Sequence, residues 1–225
     1  MKKTVFFTML FTAAAQQPVS AEGFYLSGKA AFAKQDADSM ETSLRPRIGD
    51  FVEIDNSDHF NRGAIALGYM FDNRWQVEVE YNSKVDTEYR SGSTRFANSF
   101  NNYQVSTEKL MLNAYRSIPV YSIISVYGHA GLGLAKINVG GWQGVESRQY
   151  YSNSQTNLAY ALGAGMRVDI TKGIFADLGY RYSGLGKVES GMNSFDNNYG
   201  NTLRDEQLKA DLSEQELYLG LSYTF

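Results

Sequence analysis

Two histidines are the residues with the clearest catalytic potential in this sequence, because some hydrolases of membrane lipids use His together with Ser and a carboxylate. His59 lies beside Asp58, and His129 lies within the glycine-rich run Tyr127–Gly133. No Ser follows His129 closely, and the chain contains no G-x-S-x-G nucleophile elbow. We therefore expect no enzymatic activity, and a lipid A acylase is the minor alternative.

Metal and cofactor motifs are weak. The acidic run Asp36–Glu41 lacks the glycine and the ligand spacing of a calcium loop. The chain has no Cys and two His, without the spacing of a zinc site. The glycine pairs at 131–133 and 163–165 lack the following helix that a nucleotide-binding glycine motif needs. We expect neither a metal ion nor a cofactor.

The composition limits the class of protein. The 225 residues are 43% hydrophobic and 14% aromatic, and the formal net charge is -3, so a basic nucleic-acid-binding surface is not indicated. No apolar run approaches the ~20 residues of a membrane helix. Without Cys there is no disulfide framework. A closed β-barrel is then the structure that could cross a membrane.

The first segment has the pattern of a secretory signal peptide. Lys2 and Lys3 precede the apolar stretch Val5–Ala15, and Val19-x-Ala21 suits cleavage. We predict a signal peptide at residues 1–21 and one barrel domain at residues 22–225.

After that segment the hydrophobic pattern has a period of two. In the third of eight such stretches, Trp75, Val77 and Val79 alternate with Glu78 and Glu80, which is typical of strands with one face in lipid and one in a lumen. The eight stretches are Gly23–Ala33, Arg62–Phe71, Trp75–Tyr81, Glu108–Ser117, Ser125–Lys136, Asn157–Ile170, Ile174–Tyr182 and Glu216–Phe225. They predict an all-β fold, an eight-stranded antiparallel transmembrane β-barrel.

The connections between these stretches alternate in length. Short turns at 72–74, 118–124 and 171–173 alternate with four long segments. The long segments are 34–61, 82–107, 137–156 and 183–215. This asymmetry is typical of barrels in the outer membrane of Gram-negative bacteria, and it predicts four long extracellular loops. A soluble sandwich would not sort its connections in this way.

Charged residues fall at inward positions of the predicted strands. They are Lys29, Glu78, Glu80, Lys109, Arg167, Asp177, Arg181 and Glu216. The two signs are balanced, and eight strands enclose a lumen just wide enough for side chains. We predict a charge network that plugs the lumen, because an unpaired charge there would cost several kcal/mol. A narrow ion-conducting path is the weaker alternative.

The predicted loops carry basic and aromatic residues in clusters. The candidates for ligand binding are Arg45, Arg47, Lys84, Arg90, Arg95, Phe96, Tyr103, Arg148, Tyr150 and Tyr151. Arg and Tyr dominate recognition hot spots. Contact with the sugar phosphates of lipopolysaccharide in the outer leaflet is an equal alternative. The first and last loops are acidic, which disfavours a simple polyanion ligand.

Several motifs allow a resemblance to be named. They are Gly23–Gly28, Asn113–Tyr115, Tyr127–Gly133, Gly179–Tyr182 and the terminal Leu217–Phe225. The chain resembles the small eight-stranded outer-membrane proteins of the opacity-protein and Ail-like group, with a layout similar to adhesin-invasins of the Tia, Hek and PagN type. The resemblance implies host-cell attachment, invasion or serum resistance, sometimes through heparan sulfate. It also implies that the barrel assembly machinery reads the terminal Phe225.

We therefore expect an outer-membrane surface protein, an adhesin or invasin whose extracellular loops bind a receptor or glycan of a host cell or matrix. The alternatives are a structural envelope barrel without a dedicated partner and a narrow porin-like channel.

Overall fold

The computed structural model describes residues 22–42, 50–96, 99–196 and 204–225. The predicted signal peptide at residues 1–21 lies outside this range. Within it, no helix has the length and apolar character needed to cross a membrane.

The described residues form nine β-strands. They are β1 Gly23–Thr42, β2 Phe51–Asp55, β3 Ser57–Met70, β4 Trp75–Ser93, β5 Asn101–Tyr121, β6 Ile124–Gln143, β7 Gln149–Thr171, β8 Ile174–Glu189 and β9 Leu208–Thr224. Eight of them pair in the order β4-β3-β1-β9-β8-β7-β6-β5, and a β4–β5 ladder closes the ring. Every pair is antiparallel. The predicted eight-stranded barrel is therefore confirmed, with the short β2 added beside β4.

The barrel has two ends of different construction. At the turn end, which carries Gly23 and Thr224, the connections are 71–74, 122–123 and 172–173. Around this part runs an apolar band of exposed side chains. The band includes Leu26, Phe32, Ile65, Leu67, Val77, Val79, Leu110, Leu112, Leu132, Leu134, Leu158, Leu162, Met166, Leu178, Leu217, Leu219 and Leu221.

Along the long strands, the apolar residues change from the outer face of the sheet to the inner face. On β9, Leu217 and Leu219 are exposed while Glu216 is buried. Further along the same strand Leu212 and Leu208 are buried, and the polar residues between them point outward. Side chains keep alternating without a break, because the period of two is a property of the extended backbone. Only the face that carries the apolar residues changes.

Because of this change of face, the prediction of four long loops needs correction. Among the described residues of these segments, those outside the strands are 50, 56, 94–96, 99–100, 144–148, 190–196 and 204–207. Most of the segments predicted as long loops are thus strand extensions. Their outward residues are mostly polar, and their inward face mixes apolar residues with buried polar ones such as Gln35, Thr87 and Thr107. A pattern of apolar residues facing lipid does not identify such strands.

Backbone pairing stops early at two places in the described ring. The β3–β4 ladder ends at the pair Ala64–Asn82, and the β7–β8 ladder ends at Tyr160–Gly184. The other six ladders continue further from the turn end. We call the part beyond these two pairs the far half. It consists of two sheets, the five-stranded β2–β4–β5–β6–β7 and the four-stranded β8–β9–β1–β3.

An apolar core lies between the two sheets of the far half and reaches into the adjoining barrel at Met111 and Ala161. One sheet contributes Tyr89, Tyr103, Val105, Met111, Ala135, Ile137, Val139, Tyr150, Ala159 and Ala161. The other contributes Ala37, Met40, Leu185, Val188, Leu208, Ala210 and Leu212. The far half is therefore built like a two-sheet sandwich on top of a barrel, with an interior that excludes water.

Candidate functional site

The structure places all eight predicted inward charges in the interior and joins them in ion pairs. Lys29 lies 2.5 Å from a carboxylate oxygen of Glu78 and 2.5 Å from one of Glu80. Arg181 donates to Glu80 and to Glu216, each at 2.6 Å. These pairs link four strands across the lumen.

The rest of the predicted set extends this network. Lys109 Nζ donates to Glu216 at 3.4 Å. Arg167 pairs with Asp177 at 2.8 Å nearer the turn end, and it also donates to Gln76 at 2.9 Å. Every one of these charged groups thus has an opposite charge within contact distance.

Two members of the network were missed from the sequence. Arg62 donates to Glu214 at 2.6 Å and to Glu216 at 3.2 Å, and Lys109 also binds Glu214. Glu214 fell in a segment predicted as a loop, although it shares its strand face with Glu216. Among the described residues, five cations and five carboxylates make these contacts.

Tyrosines surround the charges and fill the remaining space. Tyr25 and Tyr115 donate to Glu78 at 3.1 and 2.9 Å. Tyr127 and Tyr218 share a hydrogen bond of 2.8 Å. Position 179 can be only glycine beside this pair, since a Cβ at Gly179 would lie 2.5 Å from both of these hydroxyl oxygens.

Gly179→Val is expected to lower the free energy of unfolding by about 1–3 kcal/mol, because an overpacked interior forces side chains off their rotamers. Urea unfolding in lipid vesicles measures the change. Gly28→Val is the matched control, because a Cβ at Gly28 points into open space on the outer face. Equal effects at Gly179 and Gly28 would show that the tyrosine pair has room to move.

The two histidines do not form a catalytic arrangement with the groups around them. His129 is buried and packs on Tyr115 with ring centroids 5.0 Å apart. Neither of its ring nitrogens has a hydrogen-bond partner within the described residues. His59 stacks on Phe32 on the outer face of the barrel. Within the described residues, neither ring makes a hydrogen bond to a Ser or Thr hydroxyl.

Two of the predicted ligand-binding residues are core residues, which corrects their assignment to surface loops. Tyr103 is 1% exposed and Tyr150 is 2% exposed, and both belong to the apolar core of the far half. Each lies on an inward strand position, where burial of the ring stabilises the sandwich. Neither is available to a ligand.

The other candidates occupy the outer surface of the far half or its rim. Lys84 and Arg90 lie on β4, and Tyr151 is exposed on β7. Arg95 stacks on Phe96 at the tip that follows β4. These residues are spread over the surface and form no single cluster.

Arg148 has a different environment from the other candidates. Its guanidinium lies 4.1 Å from the ring centroid of Phe195, which in turn packs edge-on against Tyr150. The tip between β6 and β7 is thereby attached to the segment after β8. Arg45 and Arg47 lie outside the described residues.

Side-chain amides replace the missing ladder between β7 and β8. Asn157 donates to the carbonyl of Leu185 at 2.9 Å, and Gln155 donates to that of Lys187 at 2.7 Å. Gln155 also accepts from the amide of Glu189 at 3.0 Å. These bonds satisfy backbone groups that would otherwise lose their partners, so the seam is closed by side chains.

One flank of the far half is acidic. Asp38 lies near Asp36, Glu53 and Asp211, and partial burial together with these carboxylates raises the pKa of Asp38. The three neighbours lie on β1, β2 and β9, so the negative potential extends over several strands. A sulfated or phosphorylated polymer would meet repulsion there.

Comparison with known proteins agrees with this architecture. Residues 4–225 match the family model described as outer membrane protein beta-barrel domain. A protein of Rickettsia bellii (strain RML369-C) named "Putative adhesin" is 29% identical over 139 residues, which cover 57% of this chain. The chain matches 61% of the length of that relative.

A solved structure shares the fold at low sequence identity. OprG from Pseudomonas aeruginosa is 12% identical, with a TM-score of 0.55, over 90% of this chain and 97% of its own. Neisserial surface protein A is 20% identical, with a TM-score of 0.48, over the same shares. The family match covers almost the whole chain, and the closed antiparallel ring carries an apolar band. The chain therefore belongs to the outer membrane protein β-barrel family and resides in the outer membrane of a Gram-negative bacterium.

Proposed function

We propose that this protein is an adhesin whose far half binds a ligand on a host cell or in its matrix. The observation that carries the proposal is the length of the strands. A tilted strand of ~9–11 residues crosses a bilayer, whereas β4 to β7 have 19 to 23 residues each. About half of each strand therefore stands outside the membrane.

The far half is a rigid scaffold in its own right. Its apolar core keeps two sheets together where backbone pairing is interrupted, and cation–π contacts such as Arg148–Phe195 hold its tips. Binding residues on a rigid scaffold lose little conformational entropy when a ligand is bound. A barrel that served only as an envelope component would not need this addition. The name of the Rickettsia relative gives further support.

Exposed side chains of the far half are the proposed contacts. They are Lys84, Arg90, Arg95, Phe96 and Tyr151, together with the half-buried Arg148. Arg45 and Arg47 are proposed from the sequence alone. We also propose that lipopolysaccharide surrounds this surface and that the barrel assembly machinery recognises the terminal Phe225. The acidic flank around Asp38 disfavours a polyanionic ligand such as heparan sulfate. No catalytic role is proposed.

Cell binding tests the proposal directly. The gene is expressed in a non-adherent strain, and binding to cultured cells is compared with that of the double variant Arg90→Ser, Tyr151→Ser. The matched control is Arg116→Ser, Tyr121→Ser, which removes the same residue types at the turn end. We expect the parent and the control to adhere and the far-half variant to lose adherence. If the parent chain confers no adherence, or if both variants adhere equally, the proposal fails.

The same structure predicts that the protein does not conduct ions. The lumen is filled by paired charges in the barrel and by the apolar core in the far half. An ion could cross only by disrupting the ion pairs and by entering the apolar core, which is unfavourable for a charge. Purified protein in a planar bilayer is expected to give no large, stable channel openings. Such openings at single-molecule level would establish the porin-like alternative instead.

A further inference from the structure

A polar groove lies on the outer surface of the far half, on the sheet formed by β4 to β7. Its volume is about 360 Å³. The polar side chains that line it are Asp86, Glu88, Gln104, Ser106, Asn138 and Ser152. This volume is within the range of small-ligand sites, which begins at roughly 300 Å³.

The floor of the groove depends on a residue without a side chain. Cross-strand pairing places Gln104 between Glu88 and Gly140. A Cβ at Gly140 would lie 2.8 Å from the hydroxyl oxygen of Ser152. The glycine therefore leaves a depression between side chains that stand on both sides of it.

The groove presents both donors and acceptors. In the next row Ser106 lies between Asp86 and Asn138, and its hydroxyl donates to Asp86. Gln104 donates to Glu88 at 3.4 Å, a long bond. Within the described residues no side-chain partner binds Asn138, so its amide can both donate and accept. Hydroxyl groups of a sugar need this mixture of amide, hydroxyl and carboxylate groups.

The charge of the groove selects against anionic ligands. Asp86 and Glu88 are both carboxylates at its edge, and the cation beside them, Lys84, lies 3.7 Å from Asp86 with both side chains largely in solvent. Arg90 and Lys136 stand one row away on the same face, where Lys136 pairs with Glu108. The residues that line the groove itself therefore carry two negative charges and no positive one. A sulfated or phosphorylated saccharide would be repelled, whereas a neutral or amino-bearing one would not.

The nearest aromatic residue on this face, Trp142, lies one row beyond the residues that line the groove. Trp142 follows Gly140 by two residues on β6, so both lie on the outward face, and Trp142 pairs with Asn102. The apolar face of a pyranose ring can pack on an indole, while its hydroxyls reach polar side chains. Trp142 thus adds the apolar contact that a site made of polar groups lacks.

The height of the groove fits a saccharide layer. Leu110 is the apolar outward residue of β5 nearest the far half, and Ser106 and Gln104 lie four and six residues before it in the sequence. At about 3.3 Å per residue the groove lies roughly 13–20 Å along the strand beyond the apolar band. The sugars of lipopolysaccharide occupy this zone, and glycans on an opposing cell can reach it.

We propose that this groove, lined by Gln104, Ser106 and Asn138 and flanked by Trp142, binds an oligosaccharide without net negative charge. The proposal deepens the adhesin function and, where the glycan belongs to a host cell, rests on it. The ligand has two possible sources, the saccharide of the surrounding lipopolysaccharide and a host glycan. The chemistry of recognition is the same for both.

The test uses full-length protein in lipid nanodiscs carrying Trp75→Phe, so that Trp142 is the remaining indole. Binding is measured on an array of neutral, amino-bearing and sulfated oligosaccharides, and by Trp142 fluorescence on titration with the array hits. Lipopolysaccharide with complete and with truncated saccharide forms a second arm. We expect neutral or amino-bearing sugars to bind and to shift the fluorescence, and sulfated ones not to bind.

A matched pair of variants locates the site. Gln104→Ala, Asn138→Ala is expected to weaken binding by roughly tenfold or more, since two hydrogen bonds are lost. Asn61→Ala, Gln215→Ala removes the same residue types from the outer face of the other sheet and should change nothing. Binding of sulfated sugars alone, no glycan binding, or equal binding by both variants would overturn the proposal.

The outcome is separable from that of the adhesin proposal. If the groove variant loses glycan binding but the parent strain does not adhere to cells, the groove stands and adhesion fails. If the strain adheres and no glycan is bound in the groove, adhesion stands and the groove fails. Binding of complete but not truncated lipopolysaccharide assigns the ligand to the bacterium's own membrane, and host-type glycans among the hits assign it to the opposing cell.

Discussion

Replacing Glu214 by Gln is expected to lower the free energy of unfolding by about 3–5 kcal/mol, which is the cost of leaving buried charges without their partner. Glu214 is fully buried and accepts two hydrogen bonds from Arg62, at 2.6 and 3.1 Å, and one from Gln35 at 2.7 Å. Lys109 also binds it. Without the carboxylate, two cations share Glu216, which already pairs with Arg181. Urea unfolding in lipid vesicles, followed by the heat-modifiable gel shift, measures the loss.

The control for this variant is Glu189→Gln. Glu189 pairs with Lys209 at 3.3 Å on the outer surface, where both side chains are well solvated. An exposed pair contributes little, so we expect no resolvable change. Combining Glu214→Leu with Lys109→Leu should recover part of the loss, because an apolar pair replaces an ionic one. Equal effects of Glu214→Gln and Glu189→Gln would mean that water screens the interior network.

Replacing Leu212 by Ala is expected to cost about 2–5 kcal/mol of stability, the usual range for a cavity in a packed core. Leu212 is 1% exposed and packs between the two sheets of the far half. Because the β3–β4 and β7–β8 seams lack a continuous ladder, the far half depends on this core. We expect protease added to intact cells to cut the far half of the variant while the membrane-embedded barrel stays protected.

Leu219→Ala is the matched control on the same strand. Leu219 is 61% exposed within the apolar band, so its truncation leaves no cavity. A smaller loss of stability and no new protease cleavage are expected. If both variants behaved alike, the core of the far half would not be the element that holds its two sheets together.

These two results would distinguish the contribution of the charge network to stability from that of the apolar core. Glu214 tests the charge network that closes the barrel, and Leu212 tests the scaffold that carries the proposed binding surface. A variant that loses the far half but keeps its barrel should also lose cell adherence and glycan binding. This links the stability of the apolar core to the proposed function.

The sequence predicted the barrel and much of its interior because alternation is a local property. Successive side chains of a strand point to opposite faces, so Lys29, Lys109 and Glu216 could be placed in the lumen from their positions alone. The same rule explains the error at Tyr103 and Tyr150. Their strands continue past the apolar band, where the apolar residues face inward and the polar residues face outward. A criterion that looks for apolar residues facing lipid assigns such a segment to a loop.

From the sequence came the number of long strands, the face of each residue within the eight predicted stretches and the balance of interior charge. Which cation meets which carboxylate was decided by the tertiary structure. Arg181 reaches Glu80 over 101 positions of sequence, and Arg62 reaches Glu214 over 152. Such contacts depend on the stagger of strands when the ring closes, and so do the two seams and the core between them. Stagger is set by all the strands together, so no single segment of the sequence encodes it.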